Sequence, residues 1–84
     1  MGQKTAFEQK VALSLDVRGL ICPIPVQKTD EAIKEIEPGQ VLEVIASDPL
    51  TLIDIPAWES KERHKILKVV DEWLTIRFYI ERGK

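Results

Sequence analysis

Cys22 is the only cysteine in the chain, and it stands in the run RGLICPIPV, residues 18–26, with Pro23 directly after it and Pro25 two places on. A lone thiol can form no disulfide within the chain, and its chemistry is that of a nucleophile. That chemistry needs the thiolate. Two prolines so close together stop a strand, but they suit the first turn of a helix. The first N–H groups of a helix have no internal acceptor, and the fixed φ of proline matches that turn. The spacing therefore predicts Cys22 as N-cap, Pro23 at N1 and Pro25 at N3. In that arrangement the N–H groups of Ile24 and Val26 remain as donors, Ile24 being the one to face the sulfur. A thiolate there meets the positive end of the helix dipole, an interaction worth about 0.3–1 kcal/mol when exposed and ~2 when partly buried. The expected consequence is a pKa below the ~8.5 of a free thiol. Arg18 and Lys28 add to this if their charges face the sulfur. The competing reading is that Cys22 is a small buried apolar residue.

Other chemistries find little support. A Cys-His hydrolase needs its histidine beside the thiol, with an orienting partner and an oxyanion hole. His64 is the only histidine and opens a later strand. Structural zinc takes four ligands, mostly Cys or His, and one of each does not suffice. No glycine-rich phosphate loop is present, so no metal and no cofactor are expected. The net charge of −2 argues against non-specific nucleic-acid binding. No apolar run approaches the ~18–20 residues that span a bilayer. The first dozen residues, MGQKTAFEQKVA, do not read as a signal peptide, so the cytoplasm is the expected compartment. Trp58 and Trp73 are read as core or edge packing rather than an interface.

The elements that position Cys22 follow from periodicity. Val11, Leu13, Leu15 and Val17 alternate with Ala12, Ser14 and Asp16, which predicts a strand with one buried face. Val26, Thr29, Ile33 and Ile36 recur at helical spacing, and Pro38-Gly39 ends that segment with a left-handed cap. QVLEVIAS reads as a second strand, parallel to the first because a crossover helix joins them. Asp48-Pro49 opens a second helix with Pro49 at its first position and Leu50, Ile53 and Ala57 along one stripe; Pro56 is expected to kink or divide it. KILKVVDE and LTIRFYIE close the fold. In the latter, Leu74, Ile76, Phe78 and Ile80 alternate with Thr75, Arg77, Tyr79 and Glu81. The turn near Asp71 to Trp73 lacks a recognisable hairpin signal.

The expected order is β-α-β-α-β-β. This is an α/β two-layer sandwich, a mixed four-stranded sheet with two helices on one face. Eighty-four residues allow one domain, here residues 11–84 behind a flexible extension 1–10.

LDVRGLICPIPVQKTDEAI resembles the opening of the TusA-like or SirA-like sulfur-carrier family. The shared residues are Leu15, Asp16, Gly19, Leu20, Cys22, Pro23 and Pro25. A second block, SDPLTLIDIPAW, is similar through Asp48, Pro49, Asp54, Ile55, Pro56 and Trp58. The resemblance runs from about Leu13 to Arg82. It implies that Cys22 accepts a sulfane sulfur as a persulfide from a donor protein, a cysteine desulfurase or a rhodanese-like protein, and passes it to an acceptor protein. Pro23 and Pro25 carry over as structural support. Lys28 and Asp48 are candidate partner contacts, and a monomer is expected. Many relatives have a second cysteine where Glu59 stands, and Gly-His where this chain has Arg63-His64. The alternative function is an interaction or regulatory module of the same fold, with a structural or redox-sensing cysteine.

Overall fold

The computed structural model describes residues 11–21, 23–72 and 74–83. The extension 1–10, Cys22, Trp73 and Lys84 lie outside the described residues. The elements are β1 (Val11–Asp16), α1 (Ile24–Ile33), β2 (Val41–Ala46), α2 (Thr51–Glu62), β3 (Lys65–Glu72) and β4 (Thr75–Glu81). They form one mixed sheet in the order β1-β2-β4-β3. β1 and β2 are parallel, and β4 is antiparallel to both β2 and β3. The expected element order, and the parallel pairing across α1, are as observed. The position of β4 between β2 and β3 is what the hairpin pattern alone leaves open.

Alternation explains the core. Leu42, Val44 and Ala46 of β2 and Ile76, Phe78 and Ile80 of β4 point to one face. There they meet Ala32 and Ile33 of α1 and Ile55 and Trp58 of α2, so both helices cover the same side. The opposite face carries a polar network. Glu43 accepts from Ser14 Oγ (2.8 Å) and from the Tyr79 hydroxyl (2.9 Å). Burial, then the hydrogen bond to Glu43, pushes the Tyr79 phenol upward. Val17 is buried just past the end of β1, while Val11 at the strand's start is exposed.

On α1, Val26, Thr29 and Ile33 face inward as expected. The buried Thr29 hydroxyl is satisfied by the carbonyl of Pro25 (2.8 Å). The helix ends earlier than its apolar pattern suggests. Lys34, Glu35 and Ile36 donate to carbonyls three residues back rather than four, a tightening common in a last turn. Ile36 is still buried. Pro38-Gly39 is therefore not the helix cap. It forms a type II turn closed by Gln40 N–H to Glu37 O (3.0 Å), with Gly39 at φ 90° where that turn requires a positive φ. The Arg82 guanidinium donates to the carbonyls of Lys34 and Ile36, placing a cation at the negative end of α1.

α2 departs from expectation in three ways. It begins at Thr51, not at Pro49, because three bonds of the i→i+3 type (Thr51 to Asp48, Leu52 to Pro49, Ile53 to Leu50) form a lead-in turn. It continues through Pro56 without division. The lost bond is one of many, and the packing of Ile55 and Trp58 on either side holds the helix together. Finally, the buried stripe is Thr51, Ile55 and Trp58, whereas Leu50, Ile53 and Ala57 face solvent. Both sets obey helical spacing. The one carrying the larger side chain fills the space over the sheet.

Among the described residues, two that are not glycine adopt left-handed backbone, Arg63 (φ 66°) and Leu74 (φ 63°). Each costs roughly 1–2 kcal/mol for an L-residue with a Cβ. Arg63 caps α2, its N–H donating to Glu59 O (3.0 Å). The Arg63-His64 junction thus takes the bend that a glycine would take without strain. Arg63→Gly is expected to raise stability by about 0.5–1 kcal/mol, the relieved strain less the greater entropy of glycine in the unfolded chain. A urea titration with unchanged slope measures it. Leu74 lies in the β3–β4 turn, since Glu72 pairs directly with Thr75. It is therefore not the first inward residue of β4, because it lies ahead of Thr75, where the paired strand begins.

Candidate functional site

Two neighbouring loops follow the carboxyl ends of the parallel strands β1 and β2. The first, residues 17–23, contains Cys22. The second, residues 47–50, leads into α2. They are tied together: Val17 N–H donates to Ile45 O (2.8 Å), and Gly19 N–H to Ser47 Oγ (2.9 Å). The first loop opens with a turn in which Leu20 N–H bonds to Val17 O (3.2 Å) and Gly19 sits at φ 86°. A Cβ at Gly19 meets no atom within 4 Å. The glycine is there for its dihedral angle and not for space.

Asp16 organises the same loop. Its carboxylate accepts from the Arg18 backbone N–H (3.0 Å), from Nε (3.0 Å) and from Nη2 (2.8 Å). These bonds, the side-chain pair foremost, hold the Asp16 carboxyl at about 2. Asp16 was legible only as a motif residue; the following x-Arg is the signal for its role. In a carboxyl-detected NMR titration Asp16 is expected to titrate near about 2, and in Arg18→Ala to move back toward the ordinary aspartate value near ~3.9. A folded pKa below the unfolded one contributes stability above the unfolded value and loses it as pH falls through the folded value. The contribution of this pair is therefore full above the ordinary aspartate value and is lost as pH falls from there through about 2.

The residues on either side of position 22 are exposed. Ile21 is 71% accessible, and Pro23 and Ile24 also face solvent. The helix start differs from expectation by one residue. Pro23 is the N-cap, with φ −95° and ψ 12°, and Pro25 stands at N2. The reason is a bond from Ile24 N–H to Ile21 O (3.0 Å), which closes a tight turn before the regular helix begins. That N–H is therefore engaged by Ile21, where the sequence had it facing the sulfur. The first turn of α1 contains no acidic side chain, so the positive end of its dipole is not offset from within the helix.

The other candidates scatter around this loop. The Arg18 guanidinium is committed to Asp16. Lys28 stands beside Leu13, Leu15, Glu31 and Glu35, on the side of α1 that faces β1. Asp48 builds the second loop, its Oδ1 accepting from Leu50 N–H (3.0 Å) and its carbonyl from Thr51 Oγ1 (2.7 Å). His64 lies at the opposite end of the sheet, next to Lys65, which pairs with Glu81. Its Nδ1 accepts from Gly83 N–H (3.0 Å), its ring lies 5.2 Å from that of Trp58, and burial lowers its pKa. Trp58 is a core residue whose indole N–H donates to Asp30 Oδ1 (3.0 Å). That bond is the main cause holding the Asp30 carboxyl below its usual range. Between the helices runs an open groove of about 330 Å³, lined by Pro23, Val26, Asp54, Ala57 and Trp58 among others. Among the described residues no group of three or more His, Cys, Asp or Glu side chains is arranged to hold a metal. No helix among them is long and apolar enough to cross a membrane.

Comparison with known proteins decides the lineage. The family model described as Sulfurtransferase TusA matches residues 13–82, which include both loops. The chain belongs to the TusA family. A TusA relative from Bacillus subtilis (strain 168), described as "Putative sulfur carrier protein YrkI", is 41% identical over 69 residues, 82% of this chain and 92% of the relative. YrkF of the same organism and a protein of Aquifex aeolicus (strain VF5) carry the same description at 34% and 44% identity. There the match covers 88% and 70% of this chain but only 40% and 30% of theirs. The crystal structure of a SirA-like protein from Desulfitobacterium hafniense superposes with a TM-score of 0.73 over 86% of this chain and 99% of the other. At 22% identity it establishes the shared α/β fold alone.

Proposed function

We propose that this TusA-family chain is a sulfur carrier in which Cys22 accepts a sulfane sulfur as a persulfide and hands it to an acceptor protein. The observation that carries the reading is that Ile21, Pro23 and Ile24, at the start of α1, are exposed, and that the first turn of α1 has no carboxylate to oppose an anion. The transfer conserves electrons. The Cys22 thiolate attacks the terminal sulfur of a donor persulfide; a new S–S bond forms on Cys22, the donor S–S bond breaks, and the donor cysteine leaves as a thiolate. Unloading is the same step with an acceptor thiolate as nucleophile.

Pro23 and Pro25 stiffen the start of α1, Ile24 closes the turn onto Ile21, and Arg18 acts through Asp16 to hold the loop. The helix dipole is then the contribution that favours thiolate and persulfide anions. Neither Arg18 nor Lys28 is needed for it. Partners are a cysteine desulfurase or rhodanese-like donor and a downstream acceptor protein. Ile21, Ile24, Leu50 and Ile53 are exposed apolar residues that such a partner would contact, with Lys28 and Asp48 as further contacts. The chain works as a cytoplasmic monomer of one domain, residues 11–84, with 1–10 as an extension. It is a sulfurtransferase-type carrier rather than a stand-alone enzyme, with no resident cofactor or metal.

The test is intact mass after incubation with a cysteine desulfurase and cysteine, or with a rhodanese and thiosulfate. One added sulfur atom, removed by a reductant, is expected. No adduct with any of several competent donors overturns the carrier reading in favour of an interaction module. Iodoacetamide alkylation of Cys22 against pH is expected to show a midpoint below the ~8.5 of a free thiol.

A further inference from the structure

Leu74 occupies a hairpin position that glycine, asparagine or aspartate would hold with less strain, and its side chain is 70% exposed. Neither feature helps the fold. Strain and exposed apolar surface at one residue point to use in contact. Beside it lies a cavity of about 390 Å³ walled by Pro49, Leu52, Leu74 and Ile76, with Asp71 and Glu72 at its lip. Asp71 pairs in register with the buried Ile76, so it lies on the helix-facing side of the sheet, where Ile66 is apolar. Glu72 is shared with Arg77 (3.3 Å), whereas among the described residues no lysine or arginine lines the cavity.

The cavity belongs to the same end of the sheet as the loop that contains Cys22. Ile76 pairs with Ala46 at the end of β2, and Asp16 pairs with Ile45. Ser47 joins the two regions, since it lines the cavity while its hydroxyl accepts the Gly19 N–H.

We propose that this acidic-lipped cavity docks the protein that supplies sulfur to Cys22, receiving from it an apolar side chain flanked by lysine or arginine. The proposal rests on the sulfur-carrier reading and adds a contact site separate from the thiol. Leu74 is retained for that contact at the expense of an unstrained turn. The apolar pocket supplies the anchor, and Asp71 and Glu72 select the charge around it.

The experiment compares wild type, Leu74→Asn and Asp71→Lys in sulfur loading by a cysteine desulfurase and by a rhodanese with thiosulfate. Inorganic polysulfide serves as a protein-free donor. Asparagine tolerates left-handed backbone, so Leu74→Asn is expected to melt a few degrees higher than wild type. It is expected to load from polysulfide at the wild-type rate and from at least one protein donor roughly tenfold more slowly, the loss typical of an interface anchor. Asp71→Lys is expected to lose rate from the same donor, and added salt to slow wild type more than this variant. Wild-type rates from both protein donors in both variants overturn the proposal. Polysulfide loading of wild type with no loading from either protein also overturns it, while sparing the chemistry of Cys22. No loading from any source overturns the carrier reading and the docking site together. A wild-type dimer that Leu74→Asn dissociates, with loading unchanged, assigns the cavity to a second copy and overturns the partner assigned here.

Discussion

Cys22→Ser is expected to abolish sulfur loading, with no mass adduct after any donor treatment and a rate lower by on the order of 100-fold or more. The substitution exchanges one atom. A serine hydroxyl is not ionised near neutral pH, and it is a poor nucleophile without an adjacent general base. The chain's one histidine, His64, is at the far end of the sheet, where its Nδ1 accepts the Gly83 N–H. The chain has no second cysteine to take over. A retained, reducible adduct in Cys22→Ser would mean that sulfur is carried elsewhere. Circular dichroism and melting on the same sample separate loss of chemistry from loss of fold.

Phe78→Ala is expected to cost about 3–5 kcal/mol, the range for removing a buried aromatic ring from a core. Phe78 is fully buried, 0% exposed, in a central strand. Its register partners are Val44 on β2 and Val69 on β3, so the cavity opens in the middle of the sheet under both helices. A domain of this size is stable by only about 0.05–0.15 kcal/mol per residue. The variant should therefore be marginal at room temperature, with a urea midpoint displaced far toward zero. Phe78→Leu, which keeps most of the volume, should fall well short of that loss. Equal midpoints for wild type and Phe78→Ala would show that the core is not built around this ring.

These two effects differ in how far the sequence announces them. Phe78 was legible because β4 has one face on the core and one on solvent, so Ile76, Phe78 and Ile80 alternate with Thr75, Arg77 and Tyr79. α1 was legible for the same reason, through Val26, Thr29 and Ile33. α2 was not. Leu50, Ile53 and Ala57 repeat with helical spacing as well as Thr51, Ile55 and Trp58 do, and periodicity alone cannot say which stripe turns inward. The turn at Leu74 was hidden because leucine is a poor marker for left-handed backbone.

What the sequence determined by itself is local: the single thiol, the prolines that can only open a helix beside it, the glycine whose φ bends the loop, and the alternation that makes strands. These follow from the covalent nature of each residue and its immediate neighbours. The tertiary structure decided what depends on distant parts of the chain meeting. It set β4 between β2 and β3, turned Trp58 inward and Leu50 and Ile53 outward, and bonded Gly19 to Ser47 across two loops. Such choices rest on the volumes and hydrogen bonds of segments far apart in sequence, and these are compared only when the chain packs.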